Sequence, residues 1–117
     1  TVVGCGGDRD RSKRPVMGNI ASEMSSKIIF TSDNPRTESP TEIIAEIEAG
    51  VEPQNVKKIL SIENREQAIK TACQLANDND IILIAGKGHE TYQETNGVRI
   101  DFDDFKIVKE LLTSLDK

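Results

Sequence analysis

Residues 81–90 read Ile81-Ile82-Leu83-Ile84-Ala85-Gly86-Lys87-Gly88-His89-Glu90. Five uninterrupted apolar residues ending in a glycine-containing loop are the pattern of a strand buried on both faces, so a central position in a parallel sheet is expected. Upstream, Thr1, Val2 and Val3 form a β-branched run ending in Gly4-Cys5-Gly6-Gly7, a second buried strand. Ile28-Ile29-Phe30, within residues 27–32, is another, and residues 56–62 are a weaker one interrupted by two lysines. Helical spacing fills the intervals. Met17, Ile20, Ala21 and Met24 share one face after Pro15, a proline tolerated in a first turn. Ser39 and Glu42 have capping-box spacing around Pro40, Ile43, Ile44 and Ile47 form the inward stripe, and Gly50 is expected as a left-handed stop. Asn64 with Gln67 opens a third helix that turns Ala68, Ile69, Ala72, Leu75 and Ala76 inward; Phe105, Val108, Leu111, Leu112 and Leu115 mark the last. Asn96-Gly97 between Tyr92-Gln93 and residues 98–100 is a hairpin signal. Strands alternating with helices make this an α/β chain with a mostly parallel sheet flanked by helices. Ligands of such sheets bind outside the carboxyl ends of the strands, which here release residues 6–14, 33–38 and 86–93.

The length, 117 residues, supports one domain, and 36% hydrophobic with 30% charged residues is an ordinary globular composition. A net charge of −5 gives no basic face for nucleic acid and none for an anionic membrane surface. The chain lacks an apolar run of spanning length and a signal-peptide pattern, and reads as soluble and cytoplasmic. Cys5 and Cys73 stand far apart without C-x-x-C spacing, so two reduced thiols are expected rather than a disulfide or zinc site.

Familiar motifs fail on single positions. A dinucleotide fingerprint starting at Gly4 would need glycine where Arg9 stands; a phosphate loop ending at Lys87 would need glycine at Ile81 and a hydroxyl residue at Gly88; and H-E-x-x-H meets Gln93. The charges on the three loops carry more. Asp8-Arg9-Asp10-Arg11 with Lys13-Arg14 is, alone, most simply a solvated turn, and Asp33-Asn34-Pro35-Arg36 alone a polar turn. Lys87, His89 and Glu90 beside two glycines are harder to read that way, because glycines admit a ligand close to the backbone. Arginines, carboxylates and an amide gathered at one sheet edge suit a zwitterionic small molecule, with guanidinium forks gripping carboxylates and acids gripping ammonium groups.

G-C-G-G-D-R-D-R-S-K-R-P (residues 4–15), T-S-D-N-P-R-T-E (31–38) and A-G-K-G-H-E (85–90), followed by F-D-D (102–104), together resemble the C-terminal domain of the Mur ligases over nearly the whole chain. The resemblance implies a Rossmann-like domain, with a central ATPase domain elsewhere supplying the P-loop and magnesium site. It implies an ATP-dependent ligase of peptidoglycan synthesis that converts a UDP-N-acetylmuramoyl-peptide carboxylate into an acyl phosphate, which an amino acid's amine then attacks. The D-N-P-R form of the second motif goes, in that family, with meso-diaminopimelate rather than lysine. Arg36 would take the distal carboxylate that lysine lacks. By the match, Arg9, Asp33, Asn34, Arg36, Gly86 and Glu90 contact diaminopimelate, with Glu90 and the Gly86 carbonyl receiving its distal ammonium. Asp8, Lys13 and Arg14 would approach the nucleotide; a solvated turn remains open for Lys13 and a structural role for His89. No residue is assigned a catalytic role. The family's D-Y-A-H-x-P segment does not precede the first strand, so a domain truncated at its N-terminus, inactive alone, is expected. The enzyme is expected to be a cytoplasmic bacterial monomer. Alternatives are a stand-alone binding module, the lysine-adding relative and a folylpolyglutamate-type ligase, Arg36 speaking against the last two.

Overall fold

Val2 stands between Ile29 on one side and Ile84 on the other, and Val3 between Phe30 and Ala85, so the β-branched runs align as one parallel ladder. The computed structural model describes residues 1–87 and 89–117. Its sheet contains β1 (Val2–Val3), β2 (Ile28–Phe30), β3 (Ile59–Ser61) and β4 (Ile84–Ala85) in the order β3-β2-β1-β4. Four helices lie on it: α1 (Lys13–Met24), α2 (Pro40–Glu48), α3 (Arg65–Leu75) and α4 (Asp104–Ser114). The antiparallel hairpin β5 (Tyr92–Thr95) and β6 (Val98–Asp101) turns at Asn96 and Gly97, both at positive φ, as a type I′ turn requires.

The pleat divides the core. Val2 and Ile29 point to α3 and α4, where they meet Ala68, Ile69, Cys73 and Phe102; Val3, Ile28 and Phe30 point to α1 and α2, where they meet Ile43, Ile44 and Ile47. Burying one such side chain stabilises the fold by roughly 1.5–3 kcal/mol. Asn64 caps α3 by accepting the Gln67 amide at 2.9 Å, as its spacing implies. The α/β class, parallel sheet and C-terminal hairpin are all as expected.

Several details depart from the sequence reading. Of the run 81–85 only Ile84 and Ala85 form a strand, and it lies at an edge of the sheet rather than at its centre. Ile82 and Ile84 pack on the α3/α4 side, but α1 and α2 reach only as far as Ala85 on the other, leaving Ile81 92% and Leu83 57% exposed. The first part of the third strand is a 3₁₀ helix, Pro53–Lys58, because proline at its start favours a turn. Helix α1 is rotated from its apolar stripe: Arg14, Gly18 and Ser22 face inward while Ile20 and Met24 are exposed. Gly18 drives this, since a Cβ there would lie 1.9 Å from the Ile47 carbonyl, so only glycine permits the close packing of α1 on α2. Gly50 is not left-handed; it is needed because a Cβ would come within 1.8 Å of the Pro15 carbonyl. At the α2 start Ser39 pairs with Thr41 at 2.9 Å instead of closing a capping box. Leu75 and Phe105 are exposed, and Cys73, not Leu75, fills the core.

Candidate functional site

The chain runs from β1 to β2 to β3 in one direction across the sheet and then returns to place β4 on the far side of β1. The crevice outside the carboxyl ends of β1 and β4 is therefore a topological switch point, the place where sheets of this kind accept ligands. The two glycine loops leave these strands. Gly86, at φ 112, sits so close to β1 that a Cβ would stand 3.0 Å from the Gly4 carbonyl and 3.8 Å from Asp33 Oδ2.

The first and second loops are sewn together at Gly7. Its amide donates to the Asn34 carbonyl at 2.7 Å, and its carbonyl accepts Arg36 Nη1 at 2.9 Å. Arg36 is held at φ 51, a strained conformation for a long side chain, by an amide donated to the Glu94 carbonyl and a carbonyl accepting from the Asn96 amide. Among the described residues the guanidinium bonds run from Nη1 alone, leaving the Nη2/Nε edge able to take a carboxylate. Thr37 Oγ1 donates to Asp8 at 2.6 Å, and the Asp8 amide donates to Glu38 at 2.6 Å.

The second and third loops meet at Lys87. Its Nζ, buried, lies 2.9 Å from Asp33 Oδ1, 3.0 Å from Asn34 Oδ1 and 2.8 Å from the Tyr92 carbonyl. The first of these is an ion pair without hydrogen-bond alignment. Asn34 Oδ1 also accepts the Glu94 amide at 2.8 Å, which fixes the side-chain orientation and leaves its nitrogen as the group able to face a ligand. Asp33 is pinned through its carbonyl, which accepts Gln93 Nε2 at 2.7 Å. Glu90 accepts the Tyr92 hydroxyl at 3.0 Å. Gly88 lies outside the described residues.

Asp33, Asn34, Arg36, Gly86 and Glu90 are thus connected around one crevice, Asp33 and Asn34 buried and Arg36 and Glu90 half-buried. Arg9 is exposed on the rim, donating to the Asp8 carbonyl at 3.0 Å, and Lys13 is exposed at the start of α1. Arg14 is elsewhere engaged. Only 1% exposed, it forms a two-bond fork with Glu38 at 2.8 and 3.0 Å, reaches Glu46 at 3.3 Å and donates to the Gly6 carbonyl at 2.9 Å. That fork, with the Asp8 amide, holds the Glu38 carboxyl down at about 2. Cys5 and Cys73 are free, and burial raises both thiols. Among the described residues no group of acidic, His or Cys side chains could hold a metal ion. Lys87 stood out in the sequence from its place between two glycines after an apolar strand but was given no contact; Gln93 and Glu94, on the hairpin, carry no such signal.

Loops that bring a guanidinium with a free edge, carboxylates and a close-packed glycine to one sheet end can hold a small molecule bearing both charges. A family model described as Mur ligase, glutamate ligase domain matches residues 1–88. The chain belongs to the Mur ligase family. A protein of Cytophaga hutchinsonii named UDP-N-acetylmuramoyl-L-alanyl-D-glutamate--2,6-diaminopimelate ligase is 58% identical to this Mur ligase chain over 117 residues, all of the chain and 24% of the relative. One of the same name from Bacteroides thetaiotaomicron is 54% identical over 111 residues, 95% of the chain and 23% of the relative. A solved structure titled as that ligase superposes with a TM-score of 0.91 at 46% identity, covering 99% of this chain and 24% of its own. The chain spans about a quarter of the length of the curated relatives it matches.

Proposed function

We propose that this chain is the amino-acid-binding domain, over residues 1–117, of an ATP-dependent ligase that joins meso-diaminopimelate to UDP-N-acetylmuramoyl-L-alanyl-D-glutamate in bacterial peptidoglycan synthesis. The observation that carries the reading is Arg36, at a positive φ with its guanidinium on the Gly7 carbonyl and near that of Asn34, in a chain whose relatives are named for 2,6-diaminopimelate. Arg36 forks the distal carboxylate. Glu90 and the Gly86 carbonyl receive the distal ammonium, Asp33 and the Asn34 amide nitrogen contact the rest of the amino acid, and Arg9 closes over the rim.

In the reaction the substrate carboxylate takes the γ-phosphoryl group of ATP, releasing ADP. The amine of diaminopimelate then attacks the acyl phosphate, forming the amide as phosphate leaves. This domain contributes position rather than acid or base, which can supply a large part of such a barrier. ATP and Mg²⁺ are assigned mainly to parts of the ligase outside this chain, in keeping with the missing Walker motif. Asp8 and Lys13 approach the nucleotide, and Arg14 acts there through the loop that it braces. The ligase works as a monomer in the cytoplasm, with neither nucleic acid nor membrane as partner. No helix among the described residues is long and apolar enough to cross a membrane.

The test uses a full-length ligase carrying this domain, with ADP release measured on meso-diaminopimelate and on L-lysine. Wild type should turn over the first and Arg36→Ala should lose it by at least about a hundredfold, the scale of a misplaced substrate. Equal turnover by both proteins would refute the assignment.

A further inference from the structure

Arg65, the first residue of α3, is fully buried, yet it lies at the carboxyl end of the sheet. Its Nη1 donates to the Ser32 carbonyl at 3.1 Å and its Nη2 to the Ala85 carbonyl at 3.3 Å. Asp104, at the start of α4, fixes the plane of the guanidinium by a two-bond fork, Nε to Oδ1 at 2.8 Å and Nη2 to Oδ2 at 2.7 Å. Ser32 and Ala85 are the residues immediately before Asp33 and Gly86.

β2 and β4 are not neighbours, since β1 runs between them and no ladder joins them directly. The guanidinium spans this gap beneath the crevice, linking the base of the second loop to the base of the third. We infer that Arg65 is a positioning residue that sets the separation of Asp33 from Gly86 and thereby the fit of the amino acid, an inference that rests on the function proposed above. Its burial keeps it from touching the ligand. Its effect must pass through the two carbonyls, and the tolerance is small, because a Cβ on Gly86 would already stand at 3.0 Å from the Gly4 carbonyl. Only a planar fork can satisfy a carboxylate and two separate carbonyls at once; a lysine ammonium presents no such fixed geometry. Asp104 supplies the countercharge that makes the burial tolerable and, at a helix N-terminus, is itself favoured by the helix dipole.

The test compares wild type, Arg65→Lys and Asp104→Asn in the full-length ligase. Asp104→Asn is the milder change, keeping one acceptor while removing the charge. The KM for meso-diaminopimelate should rise about tenfold or more, while those for ATP and the UDP-dipeptide stay within about twofold, in proteins that remain folded by circular dichroism. An unchanged diaminopimelate KM, or all three constants rising together, overturns the inference. Crystal structures of the same variants read the geometry without any assay. If the separation of Asp33 and Gly86 changes by about 0.5 Å the role stands, and if it is unchanged the role falls. A wild-type ligase without diaminopimelate-dependent turnover refutes the proposed function instead, and leaves the structural comparison to decide on Arg65.

Discussion

Lys87 Nζ lies 3.0 Å from Asn34 Oδ1, and the Glu94 amide approaches the same oxygen at 2.8 Å. One amide oxygen therefore joins the second loop, the third loop and the hairpin. Lys87 also forms a buried ion pair with Asp33 at 2.9 Å, so a cation from a different strand end stands against the second loop's carboxylate. Removing Asn34 takes this acceptor from one buried and one part-buried donor, at about 1–3 kcal/mol for each group left unpaired. Asn34→Leu should lose roughly 2–4 kcal/mol in urea unfolding, and a loss below about 0.5 kcal/mol would show that the loops are held by other means.

Arg36 separates stability from function. Glycine relieves its positive φ at a gain of about 1 kcal/mol, against a lost hydrogen bond of similar worth. Arg36→Gly should thus unfold within about 1 kcal/mol of wild type while diaminopimelate turnover in the full-length ligase falls at least about tenfold. A large drop in melting temperature would mean that the guanidinium is mainly a strut.

Glu38 predicts an acid-sensitive loop. Its carboxyl is held at about 2, below the usual 4.5, first by the Arg14 fork and then by the Asp8 amide. The unfolded chain binds this proton more readily, so stability rises with pH: the contribution is complete above about 4.5 and is lost as pH falls towards 2. Glu38→Gln should be less stable than wild type at neutral pH, and the difference should shrink below pH 4.5. A gap that is constant down to pH 2 would remove Glu38 from this role.

Gly7 and Gly97 should respond differently to alanine. At Gly7 a Cβ would fall 1.9 Å from the Pro35 carbonyl, prising the first loop from the second, whereas at Gly97 nothing lies within 4 Å and only a φ of 79 opposes it. Gly97→Ala should cost about 1 kcal/mol and Gly7→Ala at least about 1–3 kcal/mol, read by thermal unfolding of the two variants. Equal losses would place the Gly7 effect in backbone conformation rather than in contact.

The loops were more legible than their supports. The charged and glycine loops were marked by residue type and by their place after apolar strands, while the resemblance singled out Asp33, Asn34, Arg36, Gly86 and Glu90 within them, and these gather at one crevice. Gln93 and Glu94 bind these residues through single hydrogen bonds across about 60 residues of sequence, and the partners of Lys87 lie as remote, pairings that no local pattern records. Arg65 was hidden behind the Asn64 cap, where a charged first-turn residue is ordinarily solvated.

Sequence by itself determined the α/β class, the order of strands and helices, the hairpin at Asn96-Gly97 and the three loops, because period, capping and turn chemistry act over a few residues. Only the tertiary structure decided that the run 81–85 supplies an edge strand of just two residues, that α1 presents Arg14 and Gly18 rather than Ile20 and Met24, and that Gly50 serves close packing. Which face of an apolar strand or helix is covered depends on what packs there. Backbone contact at Gly18 and Gly50, and the buried charges of Arg14 and Arg65, outweighed the exposure of a few aliphatic side chains, since an unpaired buried charge costs more than a methyl group left in water.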